Sequence, residues 1–130
     1  MTDKTENISI GKSKEDYLEA ILMIREEKGA VRSVEVAELL GVSKPSVSVA
    51  MKRLRENGYL EEEDGSGLVL TKEGMAVASR VYERHRVLSR YLMMLGVDPE
   101  TARSDACKME HDLSEQSYQA IKARVMGQKA

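Results

Sequence analysis

The run Val34-Glu35-Val36-Ala37-Glu38-Leu39-Leu40-Gly41-Val42-Ser43 constrains the fold of this chain more than any other stretch. Its apolar residues sit at helical spacing and stop at Gly41, which can take the left-handed conformation that ends a helix. Ser43 can cap a new helix two residues later. Pro45 fits that helix's first turn, where a backbone N–H would have no partner anyway. Two short helices with so few residues between them must turn sharply on one another. The second is predicted over residues 44–57, with Val47, Met51 and Leu54 at i, i+4 and i+7 facing a core. Gly58 closes it.

The flanks extend this pattern. Ser13 can cap a first helix that runs to about residue 28 and ends at Gly29, with Tyr17, Ile21 and Ile24 along its buried stripe and Leu18 and Leu22 beside them. After the helical pair, residues 59–63 and Leu68-Val69-Leu70 flank Asp64-Gly65-Ser66-Gly67, which predicts a β-hairpin. Thr71 can cap a long helix to about Leu95, with Val81, Leu88, Leu92 and Leu95 at near-heptad spacing, stopped by Gly96. Asp98-Pro99-Glu100 restarts a helix predicted to run through His111, and Ser114 caps a last one to about Met126.

The fold class that follows is mainly α: an N-terminal winged helix-turn-helix followed by an α-helical domain. The expected boundaries are a flexible arm over residues 1–12, the winged helix-turn-helix over 13–74 and the helical domain over 75–130. A chain of 130 residues can bury a real core, and with no Phe or Trp that core must be aliphatic. One cysteine excludes an intrachain disulfide and suits a reducing cytoplasm. No apolar run is long enough for a membrane span, so no membrane partner is expected.

A helix-turn-helix with a wing is a DNA-reading arrangement, yet the net charge of −2 requires any such surface to be a local patch. Residues 41–55 provide one: Lys44, Lys52, Arg53 and Arg55, with no acidic residue among them. The expected DNA-binding residues are Ser43, Lys44, Pro45, Ser46, Ser48, Val49, Lys52 and Arg53. The small Ser and Pro side chains let the first helical turn sit deep in a groove, and the lysines and arginine meet phosphates. An ordinary solvated basic face is the competing reading. Glu61, Glu62, Glu63 and Asp64 put four acids on the wing, which is therefore expected to contribute little to DNA contact.

Cys107-Lys108-Met109-Glu110-His111 carries a second chemistry. On a helix Cys107, Glu110 and His111 share one face, bringing together a thiol, a carboxylate and an imidazole. Asp16 and Glu19 lie one turn apart on the first helix, and His85 lies between the core positions Val81 and Leu88. These six residues are candidate metal ligands. Each also has an ordinary explanation: macrodipole complementation for the acids, a hydrogen-bonded core histidine, a small buried hydrophobe for the cysteine.

Four segments carry a likeness that covers residues 13–125: Glu15-Asp16-Tyr17-Leu18-Glu19-Ala20-Ile21, Leu68-Val69-Leu70-Thr71-Lys72-Glu73-Gly74, Arg84-His85-Arg86-Val87-Leu88 and Ala106-Cys107-Lys108-Met109-Glu110-His111. In order and spacing they resemble the diphtheria-toxin-repressor family of metal-dependent transcriptional regulators. The resemblance implies a cytoplasmic homodimer that binds palindromic operator DNA when metal-loaded and controls metal homeostasis genes. It maps the family's primary metal cluster onto Asp16, Glu19, His85, Cys107, Glu110 and His111. Ser89 and Arg103 stand where iron-type members have ancillary ligands, so that second site is expected to be absent. The short architecture without an SH3-like domain is expected, as in manganese-type members. Cys107 stands where that type has glutamate, and a thiolate favours softer ions, so Fe(II) is the expected metal with Mn(II) close behind. The alternatives are a winged-helix regulator answering a non-metal signal, a metalloenzyme and a structural Zn site. No enzymatic constellation of base, nucleophile or phosphate loop is present, so no catalytic residue is assigned.

Overall fold

The computed structural model describes residues 11–62, 65 and 67–127, which pack as two units, Gly11–Arg80 and a second beginning at Val81. The described residues form six helices and no regular strand. The expected N-terminal arm lies outside the described residues apart from its last two positions.

In the first unit α1 spans Lys12–Lys28, α2 Ser33–Leu40 and α3 Lys44–Glu56, and the three pack on one another. Leu18, Ile21, Val36, Val47, Met51 and Leu54 are buried. The apolar spacing therefore does what it should: each helix turns one stripe inward. Gly41 takes the left-handed conformation (φ 67°, ψ 34°), and the Val42 N–H donates to the Ala37 carbonyl (3.1 Å), ending α2. Ser43 accepts from the Ser46 N–H (3.2 Å) and starts α3. One cap differs from expectation. Helix α1 starts on Gly11, whose carbonyl accepts the Glu15 N–H (3.0 Å), so Ser13 lies inside the first turn rather than at the cap.

The expected hairpin is reduced to an isolated antiparallel bridge between Leu60 and Leu70, extended by Glu61 N–H to Val69 O (2.9 Å) and Thr71 N–H to Tyr59 O (3.1 Å). Part of the turn, Glu63, Asp64 and Ser66, lies outside the described residues. The return segment also pairs elsewhere. The Leu68 N–H donates to Val31 O (2.8 Å), in the connection between α1 and α2. A side chain at Gly67 (φ 91°) would meet that same Val31 carbonyl at 2.5 Å.

Helix α4 spans Lys72–Met94 and continues from the first unit into the second without interruption. Thr71 caps it, accepting the Gly74 N–H (3.0 Å) while its hydroxyl donates to Gly58 O (2.7 Å). In the second unit α5 spans Pro99–Met109 and α6 Glu115–Val125, capped by Asp98 and Ser114. Val87, Tyr118 and Val125 form its buried cluster, with Tyr91, Leu113 and Ile121 packed against it. Helix α5 stops at Met109 instead of running through His111. Glu110 keeps right-handed helical angles, but the chain then turns so that α6 can begin at Ser114. The Arg84 guanidinium takes up carbonyls of that turn, donating to Glu110 O (3.2 Å) and Leu113 O (2.6 Å).

Candidate metal centre and nucleic-acid interface

Helix α3 separates its residues cleanly. Val47, Met51 and Leu54 are buried, whereas Ser43, Lys44, Pro45, Ser46, Ser48, Val49, Lys52 and Arg53 are all exposed. Val49 is 53% exposed and stands among the cations of this face. The Ser43 hydroxyl donates to Ser46 Oγ (2.8 Å), so both small polar groups are held at the start of the helix.

Beside this face lies an open pocket of about 530 Å³ between the start of α1 and α3. Lys14 and Tyr17 line one side; Ser46, Val49 and Arg53 line the other. Lys14 thus adds a cation on the α1 side of this pocket, beside Arg53 of the basic face.

In the second unit the centre of interest is the Glu110 carboxylate, which is fully buried. Its Oε1 lies 2.9 Å from His85 Nδ1, and its Oε2 lies 3.5 Å from His111 Nε2. His111 is buried as well, and the His85 side chain is 17% exposed. A buried carboxylate is stable only with compensating partners; His85 hydrogen-bonds one oxygen, and His111 stands 3.5 Å from the other. Carboxylate oxygen and imidazole nitrogen are also donors that Mn(II), Fe(II) and Zn(II) accept, so these residues fit a divalent ion.

The other expected ligands are placed as follows. Cys107 is half-buried on α5 and joins no group of three or more mutually close donors among the described residues. In the first unit Glu19 is buried and Asp16 half-buried, one helical turn apart on α1. Glu15, beside them, is fully buried with the Arg80 guanidinium 3.7 Å away.

The support around Glu110 was not anticipated. Arg84 is 1% exposed; besides the two turn carbonyls it donates to Glu115 Oε1 (2.9 Å) and stands 4.8 Å from the Tyr118 ring centroid. Its neighbour Glu83 accepts from the Tyr118 hydroxyl (2.6 Å) and from Lys122 Nζ (2.9 Å). These two bonds, the phenol's first, hold the Glu83 carboxyl below its ordinary range. Burial first, and the Glu83 contact second, push the Tyr118 phenol up. The signal for Arg84 was available: it falls between Val81 and Leu88 at i+3, on the inward stripe of α4.

Two family descriptions match the chain. "Iron dependent repressor, N-terminal DNA binding domain" covers residues 9–68, and "Iron dependent repressor, metal binding and dimerisation domain" covers residues 71–127. The chain is similar to the transcriptional regulator MntR of Escherichia coli O6:H1, at 42% identity over 83% of this chain and 70% of that protein. It is also similar to the HTH-type transcriptional regulator MntR of Bacillus subtilis, at 40% identity over 84% of this chain and 77% of that one. Among solved structures, a manganese-dependent transcriptional repressor in complex with manganese matches with a TM-score of 0.79 at 28% identity, over 87% of this chain. The alignment takes in 52% of that structure's chain, so this chain spans about half the length of that repressor.

Proposed function

Because the chain belongs to the iron-dependent repressor family, we propose that it is a metal-dependent transcriptional repressor whose homodimer binds operator DNA when loaded with a divalent transition metal. The observation that carries this reading is the buried Glu110 carboxylate flanked by His85 and His111. The family's members named above are transcriptional regulators, and this protein is likewise a regulator rather than an enzyme.

The proposed ligands are Asp16 and Glu19 from the first unit and His85, Glu110 and His111 from the second, with Cys107 retained as a sixth candidate. When bound, a divalent ion would supply positive charge that these donors could hold between them. The chain's own residues do the rest. Asp16 and Glu19 lie on the helix that packs against α2 and α3, so holding them constrains the reading head. Paired recognition helices must match half-sites of a palindromic operator about one DNA turn (~34 Å) apart. An ion can favour that spacing only through its differential affinity for it; shifting the competent form from 1% to 99% requires about 5.5 kcal/mol.

For the metal, we place Mn(II) ahead of Fe(II), reversing the order that Cys107 suggests from sequence. Two observations support this. The close donors around Glu110 are a carboxylate and imidazoles without the thiol, and hard oxygen donors suit Mn(II). The relatives are named MntR, and the solved manganese-dependent repressor is in complex with manganese. We place the protein in the cytoplasm; among the described residues no helix is long and apolar enough to cross a membrane.

Fluorescence anisotropy of labelled operator DNA, titrated with protein under anaerobic conditions, tests the reading. Binding should tighten at least tenfold with Mn(II) or Fe(II) and relax with chelator. Equal binding in metal and in chelator would favour the rival, a winged-helix regulator answering a different signal.

A further inference from the structure

We propose that Arg84 is the positioning residue of the ligand-bearing turn, an inference that rests on the metal-dependent reading above. Three consecutive residues of α4 engage three different parts of the second unit. Glu83 receives Tyr118 and Lys122 of α6, Arg84 holds the turn after α5, and His85 meets the Glu110 carboxylate. Arg84 therefore sets the register between a ligand on its own helix and two ligands on the turn.

The geometry of that hold is specific. The Nη1 atom donates to the carbonyls of Glu110 and Leu113, which bracket His111 in the chain. With both carbonyls fixed, the peptide units that carry Glu110 and His111 have little freedom to rotate. The Nη2 atom is anchored in turn by Glu115, and the guanidinium lies by the Tyr118 ring. A lysine has a compact ammonium on a flexible stem and cannot reproduce this planar fork. A buried cation of this kind is weak evidence for stability by itself, since apolar residues of similar size often serve as well. Its distinguishing property here is what it orients.

This separates a positioning role from a merely structural one. Arg84→Met keeps the apolar length and removes one partner of Glu115, whose side chain is 32% exposed to water and also accepts from Gln119 (2.7 Å). Mn(II) affinity of the full chain, measured by competition with a fluorescent chelator, should fall about 10- to 100-fold in this variant, the range for partners that orient metal ligands. Arg84→Lys should lose less. The absorption spectrum of the Co(II) complex should shift in Arg84→Met as the donor geometry relaxes. Val125→Ala, which removes buried volume at the far end of α6, should lower the melting temperature and leave both readouts unchanged.

Arg84→Met protein that binds Mn(II) within twofold of wild type, with the wild-type Co(II) spectrum, overturns the proposal. Should Arg84→Met fail to fold, Glu115→Gln decides: releasing one anchor of the guanidinium should cost several-fold in Mn(II) affinity, and no loss overturns it. A wild-type chain that binds neither Mn(II) nor Co(II) overturns the metal-dependent reading itself, which is a different result from equal binding by the variants.

Discussion

Glu83 is the residue whose charge state bears most directly on the packing of α6. Its carboxyl is held low by the Tyr118 hydroxyl and, after it, by Lys122, so the folded protein favours the carboxylate. The stabilisation is fully present above the unfolded carboxyl value of about 4.3 and is lost as pH falls through the lower folded value. Thermal unfolding followed by circular dichroism should therefore show a melting temperature that declines across that acid window. Glu83→Gln should flatten the decline while lowering stability at neutral pH. Cys107 offers a second test at this scale. Standing outside the close donor group, its thiol should matter only to softer ions that recruit it. We expect Cys107→Ser to change Mn(II) affinity by less than threefold and to lower the preference for Zn(II) over Mn(II), read by competition titration.

Between elements, backbone approach sets the limits. Gly74, in the first turn of α4, leaves no room for a Cβ: one built there would overlap the Tyr59 carbonyl oxygen at the base of the wing. Alanine is intrinsically better in a helix by about 1 kcal/mol, but here the overlap with backbone should dominate. Gly74→Ala should destabilise by about 1–3 kcal/mol, visible as a lower urea midpoint. This contact also shows what sequence reading could and could not reach. The helices were legible because stripes such as Val47, Met51 and Leu54 and caps such as Ser43, Thr71 and Ser114 are local signals. The pairing of Leu60 with Leu70 was legible too, but the bond from the Leu68 N–H to Val31 O was not, because Val31 lies 37 positions away and leaves no pattern in either segment. The end of α5 was misjudged for a related reason. Nothing within residues 99–111 announces that Arg84, on another helix, holds the turn. Around Glu110, residue types and spacing pointed to His85, Glu110 and His111 as neighbours, and which donor atoms lie close together was a matter of packing.

For the whole molecule, the arrangement of charge has consequences for rate. The chain carries −2 overall, while α3 exposes Lys44, Lys52 and Arg53 with no acid until Glu56. Replacing Lys52 and Arg53 by alanine should weaken binding to all DNA sequences alike. If each side chain meets one phosphate, the slope of log K against log salt should become shallower by about 1.8. That comparison, made with the metal-loaded protein, isolates the electrostatic contribution of the reading head. A chain with little net charge that presents an acid-free run of cations on α3 meets a polyanion with a preferred orientation, and encounters led by that face are drawn in. Search along a chromosome then becomes a matter of orientation as much as of affinity. Salt should act chiefly on the association rate, and the lifetime of the bound complex should change far less in stopped-flow traces.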